Sequence, residues 1–249
     1  MLAPAVVLVR PQLAENIGAA ARAMANFGLS DLRLVAPRHG WPQARAIEVA
    51  AGGETVAKGA RVFDGLAAAV GDLQRLYATT ARRRQLVKPI LAPRAAAVEM
   101  TAHAASGMRL GLIFGQERTG LDTEDVAIAQ AIVEIPTDPA CFSLNLAQAV
   151  LLLAYEWRLA ALAPVPSQPA SEPPAKQADV LRLYEHLEGE LERGGFFATQ
   201  EQKPTMVRNL RALLARAEMT DQEVRTLRGA IKALVEPRIR RPRPPRNRR

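Results

Sequence analysis

The feature that most constrains this chain is an alternation. Five short apolar runs rich in β-forming residues, at 5–9 (AVVLV), 32–35 (LRLV), 76–79 (LYAT), 110–114 (LGLIF) and 132–135 (IVEI), are separated by stretches with helical spacing. Such runs read as buried strands, and strands alternating with helices predict an α/β domain on a mainly parallel sheet. In the first interval Ile17, Ala20, Met24 and Phe27 recur at helical spacing, and Gly28 stops that helix. After the fifth run an apolar helix extends to Leu162.

The alternation ends where composition changes. Residues 163–177 (APVPSQPASEPPAKQ) hold five prolines and predict an extended, solvated linker between a first domain, 1–162, and a C-terminal extension, 178–236. The extension reads as three helices. The first carries Val180, Leu183, Tyr184, Leu187 and Leu191, the second starts at Pro204, and the third is opened by a Thr220/Glu223 capping box. The last stretch, 237–249, contains seven arginines and no acid, so most of the net charge of +8 sits in a tail. Proline and like-charge repulsion predict that this tail is disordered; its role is either a solvated end or a phosphate anchor.

Several chemistries are excluded. No apolar run approaches the ~20 residues of a bilayer span, and the N-terminus lacks the basic segment of a signal peptide. One cysteine, Cys141, rules out an internal disulfide and suits the cytoplasm. No G-x-G-x-x-G follows the first strand, and Leu121-Asp122 stands where a phosphate-binding loop needs Lys-Ser/Thr. His39, His103 and His186 are scattered without cysteine partners, so no metal is expected.

Three segments carry polar residues that packing does not require. Glu15-Asn16-Ile17-Gly18 opens the first helix, with Asn16 as a candidate cap and Arg22 off the apolar stripe. Phe114-Gly115-Gln116-Glu117-Arg118-Thr119-Gly120-Leu121 directly follows a strand, where open α/β sheets bind ligands. Phe142-Ser143-Leu144-Asn145 precedes the long apolar helix, with Ser143 as a candidate cap. A capped helix, a plain turn and a capped core helix would each account for one segment alone.

Together the three segments resemble the three motifs of the SpoU/TrmH-like group of SPOUT RNA 2′-O-methyltransferases, over about residues 5–162. Leu183-Tyr184-Glu185-His186-Leu187 and Leu227-Arg228-Gly229 are similar to the extension of its TrmJ subgroup. The resemblance implies a trefoil knot, a homodimer, S-adenosylmethionine (SAM) as cofactor, and the ribose of tRNA nucleotide 32 (C or U) as substrate. It implies that Thr79, Thr80, Ala81, Gly115, Ile135, Phe142, Ser143 and Leu144 line the cofactor site. Ala78 stands where the family often has glycine, which makes the 79–81 match looser. Arg22 would be the central catalytic residue, with Asn16, Glu117, Ser143 and Asn145 ordering it and the ribose. The helix after Pro204 carries Arg208, Arg211 and Arg216 with no acid between them, a candidate phosphate track or simply an exposed basic face. Two alternatives stay open: methylation of another RNA (ribosomal RNA or the tRNA D-loop), and a catalytically silent RNA-binding protein. The apolarity of the helix ending at Leu162 separately favours a symmetric dimer.

Overall fold

A computed structural model describes residues 2–80, 87–162, 172–199 and 201–235 of this chain. Among them, seven strands form one sheet: β1 (Ala5–Val9), β2 (Leu32–Val35), β3 (Arg61–Phe63), β4 (Arg75–Thr79), β5 (Ile90–Leu91), β6 (Leu110–Phe114) and β7 (Ala131–Val133). Their spatial order is β3-β2-β1-β6-β4-β7-β5, and every pairing is parallel. The five expected runs are all strands. The fifth is displaced by one residue to start at Ala131 and stops at Val133. The two strands that sequence reading missed, β3 and β5, are the sheet's edges; each is too short and too exposed to show an apolar run.

The described helices are α1 (Ala14–Asn26), α2 (Ala44–Val49), α3 (Glu54–Lys58), α4 (Leu66–Val70), α5 (Pro93–Ala105), α6 (Thr123–Ala127), α7 (Leu146–Leu162), α8 (Gln177–Arg193), α9 (Lys203–Ala215) and α10 (Asp221–Val235), with a 3₁₀ turn at Pro139–Cys141. The pleat of the sheet sorts its side chains between two cores. Val6, Leu8, Leu34, Leu112 and Phe114 point to one face, where α1, α5 and α7 cover them. Val7, Val35, Leu76, Ala78 and Ile113 point to the other, and there the core includes Val180, Leu183, Tyr184, Met219 and Val224 of the C-terminal segment. The extension therefore helps to cover the sheet.

The end of the proline-rich stretch departs from the solvated linker that its composition predicts. Ala175 and Gln177 are buried, the Ala175 N–H donates to Met219 O (2.8 Å), and the Gln177 N–H donates to Leu73 O (2.7 Å). Residues 163–171 and 236–249, including the arginine-rich tail, lie outside the described residues. The Thr220/Glu223 capping box forms as its spacing predicts: the Thr220 N–H donates to the Glu223 carboxylate at 2.8 Å, and the Glu223 N–H donates to the Thr220 hydroxyl at 3.2 Å.

At the N-terminal ends of the strands, cations are neutralised. Arg33 is fully buried, reaches the carboxylates of Asp31 and Asp72, and donates to Ala69 O at 2.5 Å. Arg61 pairs with Asp31 and Arg109 with Asp72. Arg75 pairs with Glu99 at 2.6 Å and with Glu218 of the extension. Burial pushes the Asp31 and Asp72 carboxyls up. The hydrogen bonds and charge of Arg33, helped by Arg61 and Arg109, more than offset this and hold both below the ordinary value of 3.8.

Candidate active site

In a parallel sheet the loops at the carboxyl ends of the strands share one edge, and the three polar segments meet there. The second follows β6. It folds back on itself, with the Gly120 N–H donating to Gln116 O at 2.9 Å. Gly115 is required for that fold: a Cβ at this position would lie 2.1 Å from both Gly120 C and Leu121 N. The loop thereby carries Glu117 towards the start of α1.

Glu117 is the cap that α1 lacks. The N-cap residue, Leu13, supplies no side-chain acceptor. The Glu117 carboxylate instead accepts from the Gln12 and Leu13 N–H groups at 2.9 and 3.1 Å, where the helix dipole favours negative charge. It also accepts from Asn16 Nδ2 at 2.9 Å. Asn16 Oδ1 in turn accepts from Asn145 Nδ2 at 2.8 Å. Asn145 Oδ1 then accepts from the Ala147 N–H at 2.8 Å, and the Asn145 N–H donates to Gln148 Oε1 at 3.3 Å, a capping box at the start of α7. One polar chain thus joins all three segments and caps two helices.

This geometry corrects two sequence expectations about caps. Asn16 is buried in the first turn of α1 and faces the other segments; it is not the cap. Ser143 is exposed and three residues before α7, whose cap is Asn145. The group that serves α1 comes from more than a hundred residues away, which local spacing does not reveal, whereas α7 is capped locally by Asn145 together with Gln148.

Beside this junction lies an open cleft with a cavity volume of about 130 Å³. Of the expected cofactor-lining residues, Thr79, Thr80, Gly115, Ile135, Phe142, Ser143 and Leu144 all border it. Ala81 lies outside the described residues. Glu117 also borders the cleft, whereas Asn16 and Asn145 stand behind it. The lining mixes apolar walls (Phe114, Val133, Ile135, Leu146) with hydroxyls and backbone amides. The Thr79 hydroxyl donates to Ile113 O at 2.9 Å, which leaves its lone pairs as acceptors. Sequence reading missed Arg118, an exposed guanidinium on the rim; its position between the two loop glycines was the available signal.

Arg22 is not in the cleft of its own chain. It is exposed on α1, six residues or about 9 Å along the axis from Asn16. Its backbone rests on Gly53, where a Cβ would lie 2.7 Å from Arg22 Cα. Within one chain, Asn16, Glu117 and Asn145 order one another and not Arg22.

The α9 arginines do not form the open basic face that their spacing predicts. Acids from other helices reach them. Arg208 donates to Glu124 of α6 at 2.8 Å, and Arg211 makes a two-pronged bond to Glu188 of α8 at 2.7 and 2.8 Å. Arg216 is exposed, near buried Lys88. Burial, and then the charge of Arg216, push Lys88 down to about 8. Cys141 is exposed on the 3₁₀ turn. Among the described residues no group of histidine, cysteine or carboxylate side chains could hold a metal, and no helix is long and apolar enough to cross a membrane.

Comparison with known proteins agrees with this geometry. The SpoU rRNA Methylase family matches residues 3–155, which spans the sheet and all three segments. This chain belongs to the SpoU methylase family. Beyond the SpoU domain, the family described as the C-terminal domain of tRNA methyltransferase TrmJ matches residues 178–244. The tRNA (cytidine/uridine-2'-O-)-methyltransferase TrmJ of Sodalis glossinidius is 39% identical over 234 residues, covering 92% of this chain and 90% of its own length. The tRNA (cytidine/uridine/adenosine-2'-O-)-methyltransferase TrmJ of Pseudomonas aeruginosa is 38% identical over 242 residues, covering 91% of each chain. The crystal structure of TrmJ from Z. mobilis ZM4 superposes with a TM-score of 0.86 at 46% identity, over 94% of this chain and all of that one. The SpoU domain of this chain thus carries its three motifs on one sheet edge, and its extension has the same relatives.

Proposed function

We propose that this chain is a SAM-dependent tRNA 2′-O-methyltransferase acting as a homodimer, with the ribose of nucleotide 32 (C or U) in the anticodon loop as its target. The observation that carries the reading is the cleft: residues from all three SpoU segments line it or brace it, and its mixed lining of apolar walls, hydroxyls and backbone amides suits an amphipathic cofactor. The tRNA substrate follows from relatives named for 2′-O-methylation of tRNA over nearly their whole length. Position 32 and the trefoil knot come from the motif resemblance.

Thr79, Thr80, Gly115, Ile135, Phe142, Ser143 and Leu144 would hold the cofactor. SAM supplies an already activated methyl group on a sulfonium, so the protein's task is orientation and charge. Holding two reactants in line is worth roughly 7–11 kcal/mol in favourable cases. The cleft walls and the Glu117–Asn16–Asn145 chain provide a rigid frame for this. Arg22 stays protonated and matches phosphate in a two-pronged fashion. It would hold the backbone phosphate beside the target ribose and stabilise the developing alkoxide while the 2′-proton passes to solvent water at the open cleft.

Because Arg22 stands outside the cleft of its own chain, it acts in this reading on the cleft of a second copy. Leu151, Leu152, Tyr155, Leu159 and Leu162 form an exposed apolar stripe on α7, the face that such a dimer would bury. The direct test is mass spectrometry of tRNA digests from cells with and without the gene. Loss of one ribose methyl at nucleotide 32 is expected. Unchanged digests, or loss of a methyl from another RNA, would overturn the reading.

A further inference from the structure

The turn formed by residues 37–42 lies on the same sheet edge as the cleft, yet neither the motifs nor the cleft includes it. It follows β2 and is fastened at both ends. The Arg38 N–H donates to Pro11 O at 3.1 Å, the Gly40 N–H donates to Pro37 O at 3.0 Å, and Gln43 Nε2 donates to Gly40 O at 2.8 Å. Pro11 immediately precedes Gln12, whose N–H is held by Glu117, so the turn stands one residue from the junction of the first and second motifs. Just beyond it, Arg45 of α2 pairs with Glu15 in the first turn of α1 at 3.3 Å.

The side chains of this turn are presented outwards. Arg38 and His39 are exposed, and among the described residues no carboxylate reaches either one. That contrasts with Arg10 on the same edge, which is bound to Asp122 and Asp125. Trp41 is half-buried: one part packs against the core that α1, α5 and α7 cover, and the rest faces solvent. Two unpaired hydrogen-bond donors on a fixed turn, next to a rigid aromatic, suit a nucleic-acid strand: donors for phosphate oxygens and an aromatic surface for a base or ribose.

We infer that residues 37–42 bind RNA beside the active site, with Arg38 and His39 on backbone phosphates of the tRNA and Trp41 against an adjacent nucleoside. The inference rests on the tRNA reading above. It concerns RNA affinity only, so its failure can be told apart from failure of that reading.

The test uses the full chain and an unmodified tRNA transcript. The chain has two tryptophans, and Trp157 is buried, so a change in tryptophan emission on adding tRNA reports Trp41; Trp41→Phe should abolish it. Arg38→Ala with His39→Ala should weaken tRNA binding roughly five- to tenfold. The salt slope of the binding constant should fall by about 0.7–0.9 for each phosphate that is no longer neutralised. Arg38→Lys should restore most of the slope. SAM affinity and melting temperature should not move. Unchanged affinity and slope in the double variant, with wild-type protein binding tRNA normally, would overturn the inference. So would a matching loss of SAM affinity or stability, which would make the turn only a prop for α1. A wild-type protein that does not bind tRNA would overturn both this inference and the functional reading.

Discussion

At one end of the parallel sheet the arginines are consumed by the fold; at the other they are held ready. Arg33, Arg61, Arg75 and Arg109, at the strands' N-terminal ends, all meet carboxylates, and Arg33 is fully buried among them. At the C-terminal ends Arg10 is paired and fastens α6, whereas Arg38 and Arg118 face solvent with no acid among the described residues in reach. A guanidinium with its charge already matched has little left for a phosphate, and removing its partner leaves a buried charge that destabilises the fold. An unmatched one contributes little to folding and is available to a substrate. Position along the strand, more than residue type, separates the two roles.

The largest effect should come from Arg22, an exposed arginine of α1 that makes no ion pair among the described residues. Arg22→Ala should lower methyl transfer to tRNA by about 10²–10³-fold, as removal of one charge-stabilising donor does elsewhere. SAM binding, measured by calorimetry, should be nearly unchanged, because the role assigned to Arg22 is toward the RNA phosphate and the 2′-oxygen, not toward SAM. Retention of most activity would remove Arg22 from its assigned role.

Gly115→Ala should come next. The added methyl would overlap the Gly120–Leu121 backbone, and that backbone cannot yield without opening the loop. SAM affinity should fall at least about tenfold, equivalent to about 1.4 kcal/mol, and Glu117 should lose its grip on α1. Unchanged calorimetry would show that the loop tolerates the opening.

The paired set should respond in stability. Asp72→Asn leaves Arg33 buried with Asp31 alone and should cost about 3 kcal/mol in denaturant unfolding, with activity per folded molecule kept. The pH sign is definite. The Asp31 and Asp72 carboxyls are depressed in the folded state, so their contribution is present above the ordinary value of 3.8 and is lost as pH falls through the lower folded values. The wild type should therefore lose stability steeply below about pH 4, and Asp72→Asn less steeply. Parallel acid profiles would contradict this account of the buried arginine.

The smallest effect concerns the tail. Deleting residues 238–249 should weaken tRNA binding and reduce the salt slope by about 0.7–0.9 per phosphate released, with turnover at saturating tRNA preserved. An unchanged slope would make the tail a bystander.

Much of this was legible in the sequence, and the boundary follows the range of the interactions. Buried central strands such as Leu110–Phe114 and the Thr220/Glu223 box are local patterns, and local reading finds them. The edge strands Arg61–Phe63 and Ile90–Leu91 lack an apolar face and escape it. The lining of the cleft was implied by the family resemblance of the motifs, and their loops do lie together at the carboxyl ends of the strands. What the sequence hides is which distant group satisfies which. Glu117 capping a helix 100 residues earlier, Asn145 reaching Asn16, and Glu124 and Glu188 neutralising Arg208 and Arg211 all depend on tertiary packing.

The central claim is that Arg22 of one chain serves the cofactor cleft of another, and mixing two inactive variants tests it most directly. Arg22→Ala keeps the cleft and lacks the arginine; Gly115→Ala keeps the arginine but binds SAM weakly, so the assay is run at a SAM concentration at which Gly115→Ala alone is inactive. If the sites are composite, one of the two sites in every mixed dimer regains both halves. Random exchange of equal amounts should then restore roughly a quarter of wild-type methyl transfer. If Arg22 serves its own chain's cleft, the mixture stays inactive however long the subunits exchange.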